Sequence, residues 1–305
     1  MTIQSGATLA AGPGLVYLHG ASGRRVVEDR THAELVRNLW DHDRHYYERC
    51  REYVENAAKT SGEYAWLKER LPSRGTILEV GCGEGVNLDV LSHPGLRCVG
   101  CDVAHLPLRM ALERAPADGS RAYLQTNGER LPFRPGSFDA VLAISVLEHL
   151  VEPERALAAM IDVLRPGGSL LLLSPQYGGP LGASPGRQGG GAARFARRLL
   201  AAPGKARAQE RLGWEGVRPP VLDGVTWDGD LDALNEPELR SLRGWLQARG
   251  LTIVDTTSGL QWYSWTTHRA SAPVRALRGF LEGLGRRGLP LFRDFGPLVA
   301  LHARK

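Results

Sequence analysis

The stretch Thr76-Ile77-Leu78-Glu79-Val80-Gly81-Cys82-Gly83-Glu84-Gly85 decides how this chain folds. Ile77, Leu78 and Val80 make an apolar run with the character of a strand buried on both faces of a parallel sheet. Gly81, Gly83 and Gly85 then let the backbone turn tightly and approach a ligand where any Cβ would collide. A strand, a glycine turn and a helix start in this order place a nucleotide-like ligand at the carboxyl edge of the sheet. The spacing narrows the ligand. A dinucleotide turn is G-x-G-x-x-G and cradles a pyrophosphate. Here the pattern is E-x-G-x-G-x-G, and Val86 stands where the third dinucleotide glycine would fall.

Working outward, strands and helices alternate, which predicts a parallel α/β sheet. Strands are expected at about 76–80, 96–101, 121–125, 138–144, 169–173, 251–254 and 297–302. Helices are expected at about 84–92, 106–115 and 153–164, with Arg165-Pro166-Gly167-Gly168 as a turn. Asn235-Glu236-Pro237-Glu238 reads as a helix start, with Asn as cap and Pro and acids in the first turn. Leu239, Leu242, Trp245 and Leu246 give that helix an apolar face, and Gly250 ends it. Ahead of the first strand, residues 26–58 and 63–71 have helical character and carry Trp40, Tyr46, Tyr47, Tyr53, Tyr64 and Trp66. Two segments break the alternation, at about 175–233 and 260–296.

Asp102 ends the second strand, about twenty residues past the glycines, where a carboxylate can accept hydrogen bonds from both hydroxyls of a ribose. Farther on come Asn127-Gly128-Glu129-Arg130-Leu131-Pro132-Phe133, Phe138-Asp139-Ala140-Val141, Ile144-Ser145-Val146-Leu147-Glu148-His149-Leu150 and Val163-Leu164-Arg165-Pro166-Gly167-Gly168. Together with the glycine turn, this ordered set resembles the class I S-adenosylmethionine (SAM)-dependent methyltransferases. The likeness is to the small-molecule branch that includes ubiquinone-biosynthesis enzymes (methyltransferase type 11), and it covers about residues 76–174.

The resemblance implies a Rossmann-like, seven-stranded, mostly parallel sheet with helices on both faces. It also implies an N-terminal helical lid over residues 1–72 and a SAM-binding domain over 73–305 that carries the two insertions. The cofactor is SAM, and the resemblance places it on Glu79, Gly81, Cys82, Gly83, Gly85, Asp102, Asn127, Gly128, Glu129 and Ser145. Asn127 departs from the family pattern, which has an acid there to receive the adenine amino group. Its side-chain carbonyl can accept the same N–H.

Methyl transfer asks for proximity and orientation, and for a base when the nucleophile is a hydroxyl. His149, just past the fourth strand, is the candidate base, with Tyr177, Tyr46 and Tyr47 behind it. The expected function is SAM-dependent methylation of a small-molecule acceptor, O-methylation preferred, leaving S-adenosylhomocysteine. Two alternatives stay open: a membrane-surface methyltransferase of a lipid-linked acceptor, and a non-catalytic SAM-binding protein.

Composition sets the outer limits. The chain has 305 residues, 43% of them hydrophobic, with a net charge of +5. One α/β domain with insertions fits that length. The mild basic excess admits anionic partners without requiring them. No nucleic-acid module is present, so no nucleic-acid partner is expected. Segment 273–293 spaces Val274, Leu277, Phe280, Leu281 and Leu284 helically among arginines. Such a stripe packs on its own domain or gives peripheral membrane contact. Cys98 and Cys101 form a C-x-x-C within a strand, where residues three apart face opposite ways, so no metal is expected there. Asp228, Asp230 and Asp232 read as a solvated turn rather than a cation loop. Cys50, Cys82, Cys98 and Cys101 follow no disulfide pattern and no signal peptide is read, so the expected location is cytoplasmic.

Overall fold

A computed structural model describes residues 36–114, 119–179, 209–217, 232–257, 272–287, 289–294 and 296–305. A short π-helical turn, Val36–Trp40, precedes helices α1 (Arg44–Thr60) and α2 (Gly62–Lys68). The core then runs β1 (Gly75–Val80), α3 (Val86–Leu91), β2 (Leu96–Asp102), α4 (His105–Arg114), β3 (Arg121–Gln125), β4 (Phe138–Ile144), α5 (Pro153–Val163) and β5 (Leu164–Pro175). After it come β6 (Glu215–Gly216), β7 (Asn235–Glu236), α6 (Leu239–Ala248), β8 (Thr252–Thr257), α7 (Ala272–Arg286), α8 (Pro290–Arg293) and β9 (Leu298–Arg304).

Seven strands form one sheet in the order β3-β2-β1-β4-β5-β9-β8. The first five pair in parallel, and β9 enters antiparallel between β5 and β8. The order reverses between β1 and β4. In an open α/β sheet that reversal parts the connecting loops and leaves a crevice at the carboxyl ends of the strands. Both faces of the sheet are covered. Leu78, Val80, Val99 and Cys101 join α5 and α6 on one side, and Ile77, Cys98, Ala140 and Leu142 join α1, α2 and α3 on the other. Burial of each valine, leucine or isoleucine side chain among them contributes about 1.5–3 kcal/mol. Cys98 and Cys101 therefore lie in different cores, as the two-residue period of a strand requires.

Local signals misplace two elements. Helix α6 begins at Leu239, not at Asn235, and Glu238 is its cap, accepting from the amides of Arg240 (2.9 Å) and Ser241 (2.6 Å). Asn235 and Glu236 are instead held as a strand by Glu215–Gly216, and Pro237 lies outside the helix. The expected turn at Arg165–Gly168 is part of β5. Leu164 pairs with Phe138 and Ser169 with Ala140, so residues 165–168 bulge from the ladder, with Gly167 at φ 75°.

The start of the first helical region, residues 26–35, and Asp228 and Asp230 lie outside the described residues. On α7, Leu277 and Phe280 are exposed while Glu282 is buried against Thr257. No helix among the described residues is long and apolar enough to cross a membrane.

Candidate active site

A cavity of about 590 Å³ opens at the β1–β4 reversal, walled by the glycine turn, the ends of β2, β4 and β5, and the helices ahead of β1. Gly81, Gly83 and Gly85 have φ of 69°, 50° and 80°, the left-handed region that glycine occupies without strain. A Cβ on Gly81 would fall 2.3 Å from Val146 Cγ2, so only glycine lets the ends of β1 and β4 close together. A Cβ on Gly83 would instead point toward the Tyr47 ring, 3.7 Å away, across the cavity.

Asp102 is held by the turn it faces. Its Oδ2 accepts from the Gly83 amide and its Oδ1 from the Ala104 amide, both at 2.9 Å. Burial pushes its carboxyl up, and those amide donors oppose the shift by stabilising the charge. Asn127 uses Oδ1 to accept the Glu129 amide at 2.9 Å, a local turn that shapes the wall around Gly128. Glu129 Oε1 in turn accepts the Glu152 amide at 3.0 Å, tying this wall to the start of α5. Ser145, at the end of β4, sits at φ 52°, the only positive-φ residue other than glycine among those described. A non-glycine residue in that region marks a backbone constrained by its surroundings.

The residues expected at the cofactor are thus brought together with two exceptions. Gly81, Cys82, Gly83, Asp102, Asn127, Gly128, Glu129 and Ser145 line the cavity, as does His149. Glu79 lies fully buried beneath the turn, its Oε1 accepting from Asn87 Nδ2 at 2.7 Å. Gly85 lies behind the turn, where a Cβ would meet the Tyr123 hydroxyl at 2.5 Å.

His149 follows β4 in the 3-10 turn Leu147–His149. Its Nδ1 is 3.3 Å from the Asp232 carbonyl oxygen and 3.7 Å from Asp232 Oδ2; its Nε2 is 3.8 Å from Glu148 Oε1. The Trp40 indole packs edge-on at 5.6 Å and donates its N–H to Asp232 Oδ2 at 2.9 Å. Glu148 is fully buried and accepts from the Ser174 hydroxyl at 2.7 Å. Asp232 is therefore buried and engaged, not part of a solvated turn.

The N-terminal helices close the other side. Trp40, Tyr46, Tyr47, Tyr53 and Tyr64 all face the cavity. Arg51 on α1 donates to Glu84 in the glycine turn at 2.7 Å and to Asp89 on α3 at 3.0 Å, while Arg114 and Arg121 bind the same two acids. Glu84 is buried, so these charge-assisted bonds hold α1 against the turn. The described lining carries the carboxylates Glu63, Glu84, Asp102, Glu129 and Glu148 and no lysine or arginine. That charge and the glycine cradle suit a cationic nucleoside such as SAM.

Glu63, Tyr64, Asn87, Glu148 and Asp232 were not read as site residues from sequence. Asn87 carried a usable signal, since it lies one turn past Gly83 at the start of a helix. Asp232 and Trp40 meet across 192 positions and carried none.

Comparison with known proteins agrees with this geometry. The family described as "Methyltransferase domain" matches residues 78–172. An uncharacterized methyltransferase of Mycobacterium sp. is 31% identical over 185 residues, covering 59% of this chain and 71% of that protein. The ubiquinone biosynthesis O-methyltransferase of Pseudomonas paraeruginosa is 32% identical over 110 residues, 35% of this chain and 47% of that protein. The chain thus spans only about half the length of that enzyme. A SAM-dependent methyltransferase structure from Mesorhizobium loti, at 18% identity, shares the fold with a TM-score of 0.53, covering 81% of this chain and 100% of that one. With seven strands in this order, this glycine turn and these relatives, the chain belongs to the class I SAM-dependent methyltransferases.

Proposed function

We propose that this enzyme methylates a hydroxyl of a small-molecule acceptor and leaves S-adenosylhomocysteine. One observation carries the reading: His149, backed by Asp232, stands in the wall of the same cavity as the glycine turn and Asp102. When bound, SAM supplies an electrophilic methyl group on a sulfonium. The chain's own residues then position and deprotonate. Gly81, Cys82, Gly83 and Ser145 form the cradle, Asp102 receives the ribose hydroxyls, and Asn127 with Gly128 and Glu129 borders the adenine. Glu79 and Gly85 support the turn from behind. Helices α1 and α2 act as a lid, with Arg51 as its tie to the turn. His149 directs Nδ1 toward Asp232, so Nε2 is the nitrogen that takes up the acceptor proton. The ubiquinone-biosynthesis relatives, named as O-methyltransferases, support the choice of oxygen.

Incubation with methyl-labelled SAM and a small-molecule extract tests this. The expected product carries the label as a methoxy carbon and forms only with the protein present. Label on nitrogen or carbon, or no transfer, contradicts the reading.

A further inference from the structure

The cavity holds a carboxylate that the reaction as described leaves without a task. Glu63 lies on α2, outside the glycine motif, and is 5% exposed, yet it lines the cavity. Its backbone amide is held by the Ser61 hydroxyl at 3.2 Å. Beside it the Tyr64 hydroxyl donates to Asn87 Oδ1 at 2.7 Å, and Asn87 passes a 2.7 Å hydrogen bond to Glu79. The other oxygen of Glu79, Oε2, is buried without a hydrogen-bond partner. Among the described residues no lysine, arginine or histidine forms an ion pair with Glu63 or Glu79. A carboxylate withdrawn from water in this way must either hold a proton or meet a cation.

We propose that Glu63 is the counter-charge for the α-ammonium group of the donor's amino-acid tail. This rests on the SAM reading of the cavity. Asp102 and Asn127 claim the ribose and adenine end, which leaves the tail to run past the glycine turn toward α2 and the start of α3. The donor's ammonium there answers the buried Glu63 carboxylate. Because Glu63 belongs to α2, binding the tail also seats the lid.

A measurable proton follows. Burial pushes Glu63 up to about 7 and Glu79 up to about 8. The Ser61 hydroxyl opposes the shift at Glu63 and Asn87 opposes it at Glu79, Asp102 and Asp89 add to it at Glu79, and the phenols of Tyr53 and Tyr64 bring no positive charge. At pH 7 Glu63 is therefore partly protonated before binding. An arriving ammonium favours the carboxylate and drives that proton off. The ligand's own amine can only take a proton up on binding as an ammonium, which is the opposite sign.

Calorimetric titration at pH 7 in buffers of different ionisation enthalpy reads the effect without any acceptor. Wild-type protein should release on the order of half a proton with SAM and with S-adenosylhomocysteine, which both carry the ammonium. It should release none with 5′-methylthioadenosine, which lacks the tail. Glu63→Gln, checked for folding by thermal unfolding, should lose that release and bind SAM and S-adenosylhomocysteine about tenfold more weakly. Its affinity for 5′-methylthioadenosine should be unchanged. Equal release with all three ligands in the wild type overturns the assignment, as does a Glu63→Gln variant that keeps both release and affinity. If the wild type binds none of them, the SAM reading itself falls, and this inference with it.

Discussion

His149→Gln is expected to lower turnover by about 10²–10⁴-fold, the contribution of a positioned general base, while SAM affinity stays within about threefold of wild type. The imidazole lies between Asp232, with Oδ2 3.7 Å from Nδ1, and Glu148, with Oε1 3.8 Å from Nε2. Two carboxylates flanking one imidazole stabilise the imidazolium that forms when the acceptor hydroxyl gives up its proton. Trp40 fixes Asp232 from the N-terminal side, and the 83-residue separation of His149 and Asp232 is bridged by the segment after β5. On this reading the proposed base is oriented by both Trp40 and Asp232. Asp232→Asn keeps an acceptor for the Trp40 N–H and removes the charge, so it should lose less turnover than His149→Gln. The measurement is steady-state transfer to the acceptor that the labelling experiment identifies, alongside a SAM titration. Equal losses of turnover and SAM affinity in His149→Gln would assign His149 to the donor site instead.

Asp102→Ala should weaken SAM binding at least tenfold. A hydrogen bond to a charged group is worth about 1.5–3 kcal/mol, and in the proposed pose the carboxylate receives the ribose hydroxyls. A second effect adds to the first. Asp102 Oδ2 holds the Gly83 amide at 2.9 Å, and Gly83 sits at φ 50°, so alanine also releases the turn. Affinity for 5′-methylthioadenosine should fall as well, since that ligand has the ribose. This separates Asp102 from Glu63, whose substitution spares a ligand without the tail. Calorimetry reads both, and an Asp102→Ala variant that binds SAM like wild type would remove Asp102 from the site.

The parts of this architecture that are legible in sequence rest on short-range chemistry. The turn at Gly81–Gly85 is legible because positive φ selects glycine, and Asp102 because the end of β2 fixes where a carboxylate can stand. The buried strands are legible from apolar runs such as Leu170–Leu173. Where distant residues compete, local signals lose. Asn235 and Pro237 carry good helix-start chemistry, but pairing with Glu215–Gly216 takes those positions, and the cap moves to Glu238.

Glu63 reads locally as an acid suited to a helix N-terminus. Only tertiary packing reveals that it is buried and faces the cavity. Asp232 reads as one of three alternating acids, and its role depends on Trp40, 192 residues away. The residues of the glycine turn, Asp102 and the 127–149 segments lie close together in sequence and can be read, whereas Glu63, Trp40 and Asp232 reach the cavity only through tertiary packing and cannot.

Titration of the purified protein with SAM and S-adenosylhomocysteine tests the central claim most directly, because it requires no acceptor. The account predicts saturable binding of both, one molecule per chain, lost or strongly weakened in Asp102→Ala and indifferent to NADH as competitor. No binding of either ligand, or displacement of SAM by NADH, would contradict it.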